Sequence, residues 1–303
     1  MTMMSGSSLE KRQELTLSVS AIDKIRTLLG EKIGVLLDES AGSLITSRLS
    51  LHVRRLGLSS FDSYIQHIID DPGGHEMSLM INALTTNTTR FFRELRHFEI
   101  FENEILPSLI KQAKNGARVR LWSAACSSGE EAYSIAAVLL NNFPDAHNFD
   151  IRILATDVDT QTLKHAEAGV YSRASISSVP QRYVEDIFEP EQDSDNLCVQ
   201  EKLKALTTFR YLNFIEPWPV SGPFQVIFCR NVAIYMPPET QSKIWTGLEA
   251  VLDPDGALFI GHSERIGPEL MDRLELFGPT SFRRPQALRS QNIEHMESLN
   301  VIT

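Results

Sequence analysis

A chain of 303 residues, 42% hydrophobic and 22% charged, is long enough for two domains with buried cores. Its formal net charge of −10 argues against broad nucleic-acid binding, which needs a basic footprint. Cys126, Cys198 and Cys229 lie far apart with no C-x-x-C pair, so neither a disulfide framework nor a metal site is expected, and a reducing cytoplasm is the default.

Residues 1–18 are polar and read as disordered; they lack the apolar core of a secretory signal. A helical domain is expected over 19–85. Its apolar residues recur at helical spacing: Ile22, Ile25, Leu28 and Leu29, then Leu49, Val53 and Leu56, then Phe61, Ile65 and Ile68. Asp71-Pro72-Gly73-Gly74 breaks that rhythm before another amphipathic segment through Met80 and Leu84. On the second helix Arg48, His52 and Arg55 share one face and Arg54 flanks them, a pattern that by itself describes a solvated surface. Residues 86–115 are a linker and a helix. No run approaches the roughly 20 apolar residues of a membrane span, so no membrane insertion is expected.

From 116 to 285 strands alternate with helices. Val119–Ala124, Asp150–Thr156, Phe224–Cys229 and Ala257–Gly261 read as strands; Glu130–Leu140, Thr160–Ala168 and Glu239–Leu252 read as helices. Such alternation implies an α/β fold, a Rossmann-like parallel sheet covered on both faces. Leu274–Arg283 suits a closing antiparallel hairpin at the sheet edge. Between 171 and 213 the rhythm lapses, and Leu197–Gln200 with Phe209–Leu212 read as antiparallel strands of a small inserted β subdomain. The tail 286–303 is polar and reads as flexible.

Ligands of such sheets sit at the carboxyl ends of the strands. The first strand runs into small residues and then Gly129-Glu130-Glu131, with no G-x-G-x-x-G. Acids at a helix N-terminus repel a pyrophosphate and favour a cationic group, such as the amino group of S-adenosylmethionine. Plain helix capping would account for the same acids. The second strand ends at Asp157, placed to accept ribose hydroxyls, while Asp159 reads as the cap of the next helix. The third strand ends in Arg230, Asn231 and Tyr235, polar residues held by a rigid scaffold. No His–acid pair or nucleophilic triad stands out.

Four separated runs carry a family resemblance: Asn82-Ala-Leu-Thr-Thr-Asn-Thr-Thr-Arg-Phe-Phe-Arg-Glu, Trp122-Ser-Ala-Ala-Cys-Ser-Ser-Gly-Glu-Glu-Ala-Tyr-Ser, Phe228-Cys-Arg-Asn-Val-Ala-Ile-Tyr and Gly261-His-Ser-Glu. Together they resemble the CheR-type chemotaxis receptor methyltransferases, in the same order, and the likeness spans Ile22 to Arg283. The resemblance implies a methyltransferase sheet preceded by an all-α domain, with S-adenosyl-L-methionine converted to S-adenosyl-L-homocysteine. It gathers Asn87, Thr89, Arg93, Glu131, Asp157, Asn213, Phe214, Arg230 and Asn231 around the cofactor; Glu130 stays open in place of Glu131. Arg93 and Tyr235 would lie closest to the transferred methyl group. The implied partners are acidic helices of chemoreceptor cytoplasmic coiled coils, which makes Arg48, His52, Arg54 and Arg55 a candidate docking face. Tethering of a receptor peptide on the inserted subdomain is not expected, since the acidic loop Glu189–Asn196 has no glycine, and a monomer is the default. Other readings stay open: a methyltransferase for another target, a non-catalytic cofactor-binding module, and, more distantly, a dehydrogenase.

Overall fold

The computed structural model describes residues 15–286, apart from 39, 192 and 193, together with residue 288. The expected disorder of the first 14 residues, most of the 286–303 tail and the centre of the acidic loop therefore lie outside the described residues. The chain divides into two compact units. Among the described residues, one holds those up to Glu31 and Leu37–Leu84; the other holds Lys32–Leu36 and those from Thr85 onward.

The first unit is helical, with α1 (Val19–Ile33), α2 (Gly42–Arg55), α3 (Phe61–Asp70) and α4 (His75–Leu84). Apolar side chains one turn apart form the buried stripes: Ala21, Ile25 and Leu29 on α1, and Ile45, Leu49 and Val53 on α2. Ser60 starts α3 with a capping box, its hydroxyl accepting from the Ser63 amide while the Ser63 hydroxyl accepts from the Ser60 amide. The Pro-Gly-Gly run separates α3 from α4 as its backbone preferences require.

The second unit opens with α5 (Leu95–Ile100), which continues through a π-helical turn, Phe101–Ile105, into α6 (Leu106–Lys114). There follow β1 (Val119–Ala124), α7 (Glu130–Asn142), β2 (Ile151–Asp157), α8 (Thr160–Ala168), β3 (Val170–Ser172), α9 (Gln181–Ile187), β4 (Phe188–Pro190), β5 (Asn196–Val199), α10 (Glu201–Lys204) and β6 (Thr207–Tyr211). The chain closes with β7 (Phe224–Cys229), α11 (Pro238–Val251), β8 (Leu252–Ile260), β9 (Glu275–Gly278) and β10 (Ser281–Arg283).

Seven strands form one sheet in the order β6-β2-β1-β7-β8-β10-β9. The first five are parallel and the last two antiparallel, so the expected edge hairpin is present. Strand order reverses between β1 and β7, which opens a crevice at their carboxyl ends. All six residues of β7 are buried, as a strand covered on both faces demands. Successive residues alternate between two cores. Val226 and Phe228 join the cluster of α5–α7, while Ile227 and Cys229 join that of Ile244, Trp245 and Leu248 on α11. On the first face Phe228 stacks between Phe98 and Phe259, with ring centroids 5.6 and 4.5 Å away.

One strand differs from the sequence-based expectation. Residues 209–211 do not belong to the inserted subdomain: β6 pairs in parallel with β2, Ile153 opposite Thr207 through Asp157 opposite Tyr211. The small antiparallel sheet is β3-β5-β4 and ends before it. The physical reason is burial. Thr207 and Phe209 turn inward and complete the covered face beside β2.

Candidate cofactor and acceptor site

The turn from β1 into α7 is tightly wound, with left-handed backbone at Ala125 (φ 68°), Ser127 (φ 50°) and Gly129 (φ 97°). Gly129 has no alternative. A Cβ there would sit 2.8 Å from the Ala166 Cβ and 2.9 Å from the Tyr171 hydroxyl. The turn hangs on the next strand: the Cys126 amide donates to the Thr156 carbonyl, and the Ser127 amide to Asp157 Oδ2 at 2.8 Å. Asp157 Oδ1 accepts the Asp159 amide at 2.9 Å. Burial pushes the Asp157 carboxyl up to about 6, against the lowering effect of those amides.

Asp159 caps α8 through the amides of Gln161 and Thr162. Its second oxygen accepts from Asn87 Nδ2 at 2.6 Å and Thr85 Oγ1 at 3.0 Å, and the Ser127 hydroxyl donates to the Asn87 carbonyl at 3.0 Å. The linker is thus fastened across the ends of β1 and β2. Thr89 is half-buried within it.

Arg93 follows in the same linker, flanked by two left-handed residues, Phe92 (φ 52°) and Glu94 (φ 57°), a conformation that bulky residues adopt only when their surroundings enforce it. The Phe92 amide donates to Ser134 Oγ and its ring stacks on Tyr183 at 4.8 Å. The Arg93 guanidinium donates to the Thr88 carbonyl at 2.9 Å, while the Arg93 carbonyl accepts from Arg230.

Arg230 is the centre of this network. Its side chain is 2% exposed and lies between Glu131 Oε2 at 2.9 Å and Glu94 Oε2 at 3.3 Å. Glu131 Oε1 accepts the Ser123 hydroxyl at 2.6 Å. Burial pushes the Glu131 carboxyl up, opposed by Arg230 and Ser123. Burial also pushes Glu94 up, but Arg230, the His262 hydrogen bond and His97 outweigh it and hold that carboxyl at about 2. Glu130 lies apart from this pair; its carboxylate accepts the Ser128 hydroxyl at 2.7 Å.

At the other strand ends, the Leu212 amide donates to the Asp157 carbonyl and brings the end of β6 alongside β2. Asn213 is 4% exposed and donates to the Lys32 carbonyl at 2.7 Å and to Glu216 at 3.0 Å; Phe214 packs on Trp218 at 5.6 Å. Asn231 follows Arg230 in left-handed backbone (φ 60°) and reaches Glu94 Oε1 at 3.4 Å. Tyr235 closes a 3₁₀ turn, Ala233–Tyr235, and is 39% exposed.

Direct bonds therefore link Asn87 to the Asp157 turn, and Arg93 and Glu131 to Arg230, with Asn231 joined to Arg230 through Glu94. The basic residues of α2 belong to the helical unit, where two are engaged. Arg48 Nη1 donates to the Ala83 carbonyl at 3.2 Å, and Arg55 pairs with Glu76. His52 is half-buried, which lowers its pKa, and Arg54 is exposed. Two organising acids, Glu94 and Glu264, escaped the sequence reading although both lie inside the motif runs. The expectation that no His–acid pair stands out is also corrected, because His262 Nδ1 lies 3.0 Å from Glu94 Oε1.

Residues 87–282 match the family model described as CheR methyltransferase, SAM binding domain, and residues 20–85 match CheR methyltransferase, all-alpha domain. The chain belongs to the CheR methyltransferase family. The CheR relatives include a probable chemotaxis protein methyltransferase of Rhizobium etli, 42% identical over 82% of this chain and 94% of the relative. Chemotaxis protein methyltransferases of Borreliella burgdorferi and Escherichia coli are each 33% identical, over 89% and 90% of this chain and 96% and 94% of their own lengths. The CheR domain's cofactor is S-adenosylmethionine, and the chain is an S-adenosylmethionine-dependent methyltransferase of the chemotaxis type.

The residues present fit such a ligand. Buried carboxylates outnumber guanidinium groups at the strand ends, which suits a ligand carrying hydroxyls, an ammonium and a sulfonium. Arg230 Nε is buried and has no hydrogen-bond partner among the described residues, so one donor is left to spare beside Glu131. Among the described residues no helix is long and apolar enough to cross a membrane, and no group of three His, Cys, Asp or Glu could hold a metal ion.

Replacing Arg230 with Met leaves Glu94 and Glu131 buried without their cation. The expected loss of stability is about 3–5 kcal/mol, read from urea denaturation, because breaking one side of a buried pair strands the other charge. An unchanged midpoint would show that the network does not hold these segments together.

Proposed function

We propose that the chain transfers the methyl group of S-adenosylmethionine to glutamate side chains of chemoreceptor cytoplasmic helices, forming methyl esters. The observation that carries this reading is the placement of Arg93. The residue is fixed by its left-handed neighbours and by Arg230 on its carbonyl, while its guanidinium rests only on the Thr88 carbonyl among the bonds described. Such a cation is suited to hold an acceptor carboxylate by charge-assisted hydrogen bonds.

When bound, the cofactor supplies an electrophilic methyl carbon on a sulfonium. The chain's own task is to orient the acceptor and exclude water. A glutamate has a pKa of about 4.3, so its carboxylate is already the nucleophile at neutral pH and no base has to remove a proton. A carboxylate oxygen held in line with that carbon would take the methyl group, leaving S-adenosylhomocysteine as the product. Arg93 holds the carboxylate, and the Tyr235 hydroxyl lines it up. Asp157 would accept from ribose hydroxyls, Glu131 would take the ammonium while keeping Arg230, and Asn87, Thr89, Asn213, Phe214 and Asn231 would complete the pocket. The chemotaxis assignment of the relatives supports receptors as the target class.

A second reading has one observation in its favour. The His262–Glu94 pair would serve an acceptor that must lose a proton, such as an alcohol or amine. The two readings separate in one assay, in which the chain, methyl-labelled cofactor and chemoreceptor membranes are incubated and then treated with mild alkali. Release of volatile labelled methanol identifies a carboxyl ester and supports the proposal. Alkali-stable label would assign the acceptor to another functional group and overturn it.

The buried Asp157 carboxyl makes cofactor binding sensitive to pH. As pH falls through about 6 the acid takes up a proton and loses acceptor capacity, so S-adenosylhomocysteine should bind several-fold more weakly at pH 5.5 than at pH 7.5. Asp157→Asn should weaken binding at pH 7.5 and flatten this profile. A step that persists in the variant belongs to Glu130 or Glu131, whose carboxyls burial also raises.

For receptor docking, Arg54 is the informative probe. Arg48 and Arg55 hold partners inside the helical unit, so reversing their charge would disturb packing as well as docking. Arg54→Glu should raise the receptor KM several-fold and leave S-adenosylhomocysteine affinity unchanged. An unaltered KM would remove this face of α2 from the docking surface.

A further inference from the structure

Of the run Gly261-His262-Ser263-Glu264, the last residue has no role in the chemistry above, yet it is an unusual acid. Glu264 is 2% exposed and forms no described ion pair. Its carboxylate accepts four backbone amides. Val232 and Ala233 each donate to Oε1 at 2.9 Å; Asn231 at 2.9 Å and Gly261 at 2.6 Å donate to Oε2. Each carboxylate oxygen offers two lone pairs, so these four donors use its whole capacity.

The amides of residues 231–233 belong to the turn where the chain leaves β7, beyond the reach of the sheet ladder. Buried amides without partners are costly, and a single side chain satisfies all three. The turn is left-handed at Asn231 (φ 60°) and runs on to Tyr235. Gly261 is an independent sign that the fit is tight. A Cβ there would lie 2.5 Å from Asn231 Nδ2, 2.8 Å from the Asn231 amide nitrogen and 2.8 Å from Glu264 Oε2. Only glycine lets the turn close on the carboxylate.

We infer that Glu264 is a positioning residue: its carboxylate sets the conformation of the 231–235 turn and thereby the placement of Asn231 and Tyr235, with Gly261 as the clearance that permits it. The functional part of this inference rests on the reading of Asn231 as a cofactor residue and Tyr235 as an acceptor-aligning residue.

Glu264→Gln tests it with almost no change in size. The amide keeps one acceptor oxygen and turns an NH₂ group towards two of the four amides, donor against donor. In hydrogen exchange, the amides of Asn231, Val232, Ala233 and Gly261 should exchange at least about tenfold faster, as loss of charge-assisted bonds predicts, while Val226–Cys229 in β7 stay protected. S-adenosylhomocysteine affinity should fall by about tenfold, one such bond's worth, and kcat should fall with it. If Glu264→Gln does not fold, Gly261→Ala tests the same closure from the other side, with the same expected exchange pattern.

Retained protection of the four amides would overturn the inference. So would faster exchange with unchanged affinity and unchanged kcat, because the acid would then be structural only. Asn231→Ala is the control for the underlying reading. Wild-type cofactor affinity in that variant would count against Asn231 as a ligand, while the exchange data would still decide what Glu264 does.

Discussion

A single guanidinium, that of Arg230, is almost wholly removed from water and joins the end of β7 to two distant parts of the chain. Glu131 comes from the start of α7, Glu94 from the linker, and the Arg93 carbonyl from beside it. None of these groups could be buried alone, since a lone charge in such a place costs several kcal/mol. Their mutual satisfaction ties the linker residue Arg93, through its carbonyl, to the carboxyl end of β7. The left-handed backbone at Phe92, Glu94 and Asn231 is the strain that this arrangement absorbs.

The same network explains why the site is acidic and yet ordered. Asp157 and Glu264 accept backbone amides on both oxygens, and Asp159 divides its oxygens between the α8 amides and the side chains of Asn87 and Thr85, so the three act as clamps on the turns that leave β1, β2 and β7. The acids left beside Arg230 have that guanidinium between them. An excess of carboxylate suits a cationic cofactor and disfavours a pyrophosphate, which separates this site from the dinucleotide sites of related sheets. The carboxylate methylation proposed here would ask for little proton traffic, and a network built to fix position is consistent with that.

Much of this was legible in residue order. The strands at 119–124 and 224–229 end where alternation of strand and helix indicated, and Asp157, Arg230 and Asn231 stand at strand ends because that is where a scaffold presents polar groups. Asp159 capping α8 followed from its place before a helix. The parallel strand β6 was obscured because the crossover from β2 carries the small β3-β5-β4 sheet, and the only helix directly before β6 is the four-residue α10. Glu94 and Glu264 were visible as letters in motifs but not as anchors. Local periodicity does not say which carboxylate meets a guanidinium 136 positions away or an amide 31 to 33 positions away.

The most direct test of the account is titration calorimetry of S-adenosylhomocysteine against the full chain and against Glu131→Gln. The account predicts one site per chain in the wild type and a roughly tenfold loss of affinity in the variant, the size of one charge-assisted hydrogen bond. Equal affinity in both would contradict the reading that Glu131, held by Arg230, takes the cofactor's ammonium.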